Sequence, residues 1–208
     1  YSYRYFYYDG YGKDYQILNI KDDSNEEFVR KYLTGSLLAF YQQQLIYKEN
    51  PRVADHYHLE KPLWVFVGSS VNAVRKENKK DTSDVIAIIR FFTEFVKDSN
   101  VTKDHLQQIL DGKDGLLDNN NASIFGNAFE YIRQKGVNAE TLYLDILETV
   151  FNTANAGANI YLDRLKGTDG ELGLRLGDTD EYFGVINVGD DSKLFKLCME
   201  FGIEGMEK

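Results

Sequence analysis

The sequence has a single cysteine and no long hydrophobic run. Because the lone Cys198 cannot form an internal disulfide, the chain fits a reducing compartment, and we expect a cytoplasmic protein. Its apolar neighbours Leu194, Leu197 and Phe201 recur at helical spacing and predict a buried structural thiol. No stretch approaches the roughly 18 uninterrupted apolar residues of a transmembrane helix and no signal-peptide pattern is present, so we expect no membrane partner.

Positive charge is scarce as well. The 24 lysines and arginines are outnumbered by 33 aspartates and glutamates, which gives a formal net charge of −9. This balance argues against polyanion binding over the whole surface but permits a local basic site. The 208 residues, 43% of them hydrophobic, are enough for one sizeable domain or for one domain with a large insertion.

Motifs for nucleotide hydrolysis and metal binding are missing or incomplete. The sequence has no Gly-x-x-x-x-Gly-Lys-Ser/Thr phosphate loop, no Gly-x-Gly-x-x-Gly fingerprint and no Gly-x-Ser-x-Gly nucleophile elbow. His56 and His58 occupy alternate positions, which share one face of a strand, but the remaining histidine, His105, lies far downstream. These two residues are either a weak metal-binding pair or ordinary polar residues. We predict no catalytic residue, cofactor or metal in this chain.

Two apolar runs predict buried strands. Residues 63–67 form a continuous apolar run, and a similar run at 183–188 leads into a helical pattern. Such runs are typical of strands covered by helices on both faces of a parallel sheet. We therefore predict an α/β fold in which the two runs are neighbouring strand-to-helix units of one parallel sheet, separated by a long insertion.

The rest of the chain shows further helical and strand patterns. Tyr1, Tyr3, Tyr5 and Tyr7 recur with period two and predict a strand, which a turn joins to a second short strand at 15–20. These aromatic side chains either pack against a neighbouring domain or stack on nucleobases. Downstream, the periodicity predicts five helices and then a β-hairpin. The helices begin near Asn25, Ser83, Thr102, Ala122 and Asn138, and the hairpin spans about 158–176.

The turn after the first apolar run is the best candidate for a ligand contact. Small polar residues and free backbone N–H groups at the carboxyl end of a strand suit a phosphate oxygen. Four cations follow within six residues, and such groups contact nucleic-acid phosphates without reading sequence. A solvated loop is the alternative. The candidate nucleic-acid-binding residues are Gly68, Ser69, Ser70, Asn72, Arg75, Lys76, Lys79 and Lys80.

The same region carries a resemblance to a known family. Segments 61–72 (KPLWVFVGSSVN) and 183–197 (FGVINVGDDSKLFKL) resemble the restriction subunit of type III restriction–modification systems. That subunit is a superfamily 2 helicase-like motor of the DEAD/DEAH type. Segment 3–14 (YRYFYYDGYGKD) is similar to the stretch that follows the family's first motor lobe. The resemblance spans nearly the whole chain and is least specific at 97–158.

The resemblance implies a partial motor lobe. Residues 61–96 would begin the second RecA-like lobe and 182–208 would continue it, truncated, whereas 1–60 would be an inter-lobe segment. Residues 97–181 would be a mainly helical insertion with a β-hairpin. Residues 63–70 would correspond to motif IV, the first strand and loop of the second lobe, whose loop touches the backbone of the tracked DNA strand. The phosphate-binding loop, the Asp-Glu box and the arginine that senses the γ-phosphate would lie outside this chain.

Two functional hypotheses follow. In the first, the chain is a fragment of an ATP-dependent DNA translocase and site-specific deoxyribonuclease, and is not an enzyme by itself. The resemblance implies ATP and Mg²⁺ as cofactors of the parent, and DNA and a modification (methyltransferase) subunit as its partners. In the second, the chain is a non-catalytic module that docks a modification subunit or another protein. A small Rossmann-like enzyme with nucleotide loops at Gly68 and Gly189 is disfavoured because the glycine-rich fingerprint is absent.

Overall fold

The structure combines α-helices with two small antiparallel sheets. The computed structural model describes residues 2–10, 18, 25–67, 75–77, 80–82, 84–167, 170–188 and 191–200, with backbone only at 75–77 and 80–82. Its helices are α1 (Tyr3–Tyr8), α2 (Glu26–Glu49), α3 (Pro51–His56), α4 (Asp84–Lys97), α5 (Ser99–Leu110), α6 (Glu130–Gln134), α7 (Ala139–Phe151) and α8 (Asp191–Glu200). Its strands are β1 (Arg75–Glu77), β2 (Lys80–Thr82), β3 (Ile160–Arg164), β4 (Glu171–Leu176) and β5 (Gly184–Asn187).

The long helix α2 organises the core. It begins where predicted, because the Asn25 side chain accepts hydrogen bonds from the N–H groups of Glu27 and Phe28 at 2.9 and 3.3 Å. Gly35 does not interrupt the helix, and the ring of Phe125 fills the space that a side chain at this position would take. Helices α4, α5 and α7 pack around α2.

Helix α4 and its neighbours confirm the predicted amphipathic pattern. Ile86, Ile89 and Phe95 of α4 are fully or almost fully buried, as the spacing of apolar residues requires. Helix α7 starts at the predicted cap, where Asn138 accepts a hydrogen bond from the N–H of Thr141 at 2.8 Å. Tyr143 of α7 then donates to the carbonyl of Val96 at 2.8 Å and joins the two helices.

The predicted helix beginning at Ala122 is wrong over its first two turns. Residues 122–129 form turns and an isolated bridge, and α6 starts only at Glu130. Local side-chain contacts explain the difference, because Asp118 accepts from the N–H of Ala122 and Ser123 accepts from the N–H of Gly126. Gly126 has a positive φ of 43°, which a continuing helix excludes.

The predicted hairpin is confirmed, but the predicted parallel sheet is wrong for the described residues. Strands β3, β4 and β5 form one antiparallel sheet in that order, with Leu162 opposite Leu174 and Leu172 opposite Ile186. Only residues 177–183 connect β4 to β5, and a parallel crossover needs a dozen or more residues. Residues 63–67 belong to no strand.

The aromatic opening segment is also different from the prediction. Residues 3–8 form the helix α1 instead of a strand, and the N–H groups of Phe6 and Asp9 bond to carbonyls four residues earlier. The rings of Tyr3 and Tyr7 lie 6.2 Å apart, and the Arg4 guanidinium lies 5.7 Å from the Tyr8 ring. These are the (i, i+4) neighbours of a helix. Apart from Leu18, the predicted second strand at 15–20 lies outside the described residues.

One hydrophobic core connects the mixed α/β structure. It includes residues from all four predicted segments, for example Leu38, Phe95, Leu174 and Cys198, and the predicted segment boundaries stay a prediction. The Cys198 thiol is fully buried, as predicted, and burial raises its pKa to about 12. Among the described helices, none combines the length and apolar character needed to cross a membrane.

Candidate nucleic-acid interface

The candidate interface is built on an extended segment, residues 63–67, that lies against α2 and α4. The Trp64 ring packs against the tilted ring of Phe66 at 4.4 Å and lies 6.0 Å from Phe40 of α2. Phe92 of α4 lies beneath both rings, 6.1 Å from Trp64 and 6.0 Å from Phe66. Gln44 of α2 donates a hydrogen bond from Nε2 to the Pro62 carbonyl at 3.1 Å. Alternate side chains therefore fix this segment to the core.

The other face of the 63–67 segment is open. Leu63, Val65 and Val67 are 83%, 69% and 93% exposed. Within the described part of the chain, the backbone of residues 63–67 makes no hydrogen bond. The prediction of a strand buried on both faces is therefore wrong here, because no second layer covers the outward side chains.

The chain leaves the 63–67 segment toward the predicted phosphate contacts. Gly68, Ser69, Ser70, Asn72 and Lys79 lie outside the described residues. The remaining three predicted residues lie in a short antiparallel ribbon made of β1 and β2: Arg75 and Lys76 in β1, and Lys80 in β2. In the sequence, the 63–67 segment precedes the ribbon, and α4, which begins at Asp84, follows it.

The register of the ribbon distinguishes the cations. Lys76 is opposite Asp81, and Lys80 is opposite Glu77, whereas Arg75 is opposite Thr82. Directly opposite residues of unlike charge attract each other and partly neutralise one another. Of the three cations whose backbone is described, Arg75 is therefore the one whose register position faces no carboxylate residue.

The histidine pair forms no metal centre with its described neighbours. His56 ends α3, its ring lies 4.7 Å from Tyr57, and His58 follows with a positive φ of 49°. The described residues hold no group of three or more histidine, cysteine or acidic side chains that could bind a metal. The metal-binding alternative therefore has no support from the geometry.

A charged cluster between α2, α4 and α5 was missed in the sequence. Arg30 donates to the Glu94 carbonyl and pairs with Asp98, both at 3.1 Å. Lys31 and His105 are almost fully buried nearby, and the described residues offer His105 Nδ1 no hydrogen-bond partner. Burial lowers the pKa of His105, and the charges of Lys31 and Arg30 lower it further. The sequence feature that could have indicated this cluster is the pair of adjacent charged residues, Arg30 and Lys31, within an apolar helical pattern.

A second polar network joins α2 to α6 and α7. Lys135 Nζ donates to both carboxylate oxygens of Glu49 at 2.7 and 2.8 Å, and Tyr131 donates to the same carboxylate. These hydrogen bonds, from Lys135 first and then Tyr131, lower the pKa of Glu49. Tyr41 donates to Asp145. Burial is the main cause that raises the pKa of Tyr41, and this hydrogen bond is the second. The carboxylates of Glu49 and Asp145 already accept hydrogen bonds from within the protein. This network therefore stabilises the packing of the helices against one another.

The described geometry offers two features for binding. One is an exposed apolar segment whose Trp64 and Phe66 rings pack on α4, and the other is a ribbon with cationic positions that lies between this segment and α4 in the sequence. Backbone phosphates or another polypeptide are the partners that such a surface suits. No protein-family model, no curated protein and no solved structure matches this chain.

Proposed function

We propose that this chain is part of the second motor lobe of an ATP-dependent DNA translocase and endonuclease of the type III restriction kind. In this proposal, the β1–β2 ribbon and the loop before it contact the DNA backbone. The observation that carries the proposal is the position of the ribbon in the sequence, between the 63–67 segment and α4, which pack against each other. Cations in such a position can contact phosphates without reading bases.

The proposal also includes a RecA-like arrangement of the strands in this lobe. Such a lobe needs parallel strands, and we propose that residues 63–67 become one when a partner strand is present. Two features support this role: the segment is extended without backbone bonds to described residues, and its Phe66 shares the Phe92 ring with Phe183, which precedes β5. ATP, Mg²⁺ and the modification subunit belong to the intact parent in this proposal.

Salt-dependent binding to single-stranded DNA tests the contact. Replacing Arg75, Lys76, Lys79 and Lys80 together by alanine should weaken binding at least tenfold in fluorescence anisotropy. Because each lost phosphate contact removes about 0.7 from the slope of log affinity against log salt, the slope should become shallower by up to about 3.

The matched control removes the same charge elsewhere. Lys48, Lys113, Lys166 and Lys196 are exposed and lie away from the ribbon in sequence. Their replacement by alanine should leave most of the affinity intact. An equal loss in both variants would show that overall charge, and not the ribbon, determines binding.

A second candidate function is a protein-docking module. The observation in its favour is the exposed apolar side chains Leu63, Val65 and Val67, with the exposed Leu59 and Tyr57 shortly before them in the sequence. Contiguous exposed apolar side chains mark interaction surfaces. Binding of a modification subunit that survives the four-alanine variant but is lost in Val65→Lys would favour this candidate.

A further inference from the structure

Two backbone edges near α4 lack strand partners among the described residues. One is the 63–67 segment, which makes no backbone hydrogen bond there. The other is the outer side of β5, the last strand of its sheet. The N–H of Val188 bonds to the carbonyl of Gly170, so alternation along β5 places the N–H and C=O groups of Val185 and Asn187 at the open edge.

Both edges lack the features that normally prevent strand addition. Neither residues 63–67 nor 184–187 contain a proline or a charged residue, and Val65, Val67 and Val185 are exposed. Natural edge strands are usually protected by lysine, proline or a bulge. The occupant that such an edge accepts is an extended polypeptide, because only a strand satisfies its N–H and C=O groups.

The two edges lie in segments of opposite charge. Residues 61–80 contain five lysines and arginines and one carboxylate, whereas residues 178–191 contain five carboxylates and no lysine or arginine. In the sequence, the segments that contain the two edges therefore carry net charges of opposite sign. Like charges would have opposed their association.

Within one molecule these edges are not paired. Trp64 and Phe66 are fixed on Phe92, and Phe183 contacts Phe92 and Phe151 instead of the Trp64–Phe66 pair. We propose that two copies associate by reciprocal strand addition, in which residues 63–67 of each copy add as a fourth strand to β5 of the other. A two-fold axis satisfies both edges of both molecules and closes the assembly.

Cysteine cross-linking between separate molecules tests this pairing. A mixture of the Val65→Cys and Val185→Cys proteins should form a disulfide-linked heterodimer several-fold more efficiently than either variant alone. Both positions are exposed, so folding should persist, and the native Cys198 is buried. A mixture in which Leu144→Cys, also exposed, replaces Val65→Cys is the control. Equal cross-linking in both mixtures would overturn the proposal.

Sedimentation of the full chain supplies an independent readout. The wild-type protein should show a concentration-dependent dimer that weakens with salt, and Val65→Lys should reduce association at least tenfold while Leu144→Lys does not. A monomer at every concentration, or open-ended growth, would overturn reciprocal pairing. The DNA proposal is tested separately, by comparing the DNA affinity of the four-alanine variant with that of its charge-matched control.

Discussion

At the scale of single residues, two glycines each lie against an aromatic ring, and the two rings differ in exposure to solvent. A Cβ atom on Gly35 would lie 2.3 Å from the Phe125 ring, and one on Gly173 would lie 2.6 Å from the Tyr182 ring. Phe125 is 3% exposed and Tyr182 is 43% exposed. Only the Tyr182 ring can move into solvent, so the same substitution should have different consequences at the two sites.

We expect Gly35→Ala to lower the free energy of unfolding by about 1–3 kcal/mol, because overpacking outweighs the gain of about 1 kcal/mol in helix propensity. Gly173→Ala should cost less, and urea denaturation measures both. Adding Phe125→Leu to Gly35→Ala should recover part of the loss. Equal losses at Gly35 and Gly173 would argue against the ring contact as the cause.

His105 should make the protein less stable in mild acid. Its pKa is lowered in the folded state from the ordinary value of 6.5, by burial and then by Lys31 and Arg30, while Glu27 and Asp104 oppose the shift. The unfolded chain therefore binds the proton first as pH falls. Stability is complete above about 6.5 and declines below it until the lower folded pKa is reached.

The measurement is the urea midpoint between pH 7.5 and 5.0. His105→Gln should remove the part of the decline that this residue causes, whereas His56→Gln, at an exposed position, should retain it. An unchanged pH profile in His105→Gln would assign the acid sensitivity to other groups.

At the scale of elements, helix α7 is stabilised by the side chain of its N-cap residue, Asn138. The Asn138 side chain satisfies the N–H of Thr141, and α7 contributes Leu142, Ile146 and Phe151 to the core. Asn138→Ala should therefore lower the free energy of unfolding by about 1 kcal/mol. Asn138→Asp should be nearly neutral, because aspartate caps equally well, and a loss like that of alanine would contradict the capping role. Chemical denaturation at pH 7 distinguishes the two variants.

The same scale shows why some elements were predictable. Helices α2 and α7 and the β3–β4 hairpin carry their start signals and periodicity in adjacent residues, and all three are confirmed. The opening tyrosines have period two as well as the (i, i+4) ring neighbours of a helix, and without a described partner strand the helical contacts prevail. The helix predicted over residues 122–129 does not form, because the side chains of Asp118 and Ser123 accept hydrogen bonds from backbone N–H groups there and compete with the helix.

At the scale of the whole molecule, strand pairing was the part that the sequence could not supply. The runs at 63–67 and 183–188 look alike in composition, yet one lies unpaired on aromatic rings and the other pairs antiparallel with β4. An apolar run indicates burial, but it does not indicate which strand it pairs with. The Arg30–Glu94 contact likewise joins residues 64 positions apart, which no local pattern reveals. Of the candidate site, the sequence shows the run of cations at 75–80, but it indicates neither the pairing of β1 with β2 nor its register.

Trp64 is the only tryptophan of the chain, and it lies in the segment on which both proposals depend. Its indole packs against Phe66 and meets Phe92 edge to face, so its fluorescence reports the packing of that segment without any label. The other aromatic side chains, 15 tyrosines and 13 phenylalanines, emit at shorter wavelengths and do not obscure it. Excitation of this one indole therefore provides an optical signal for events at residues 63–67, whether a DNA strand, a partner protein or a second copy arrives there.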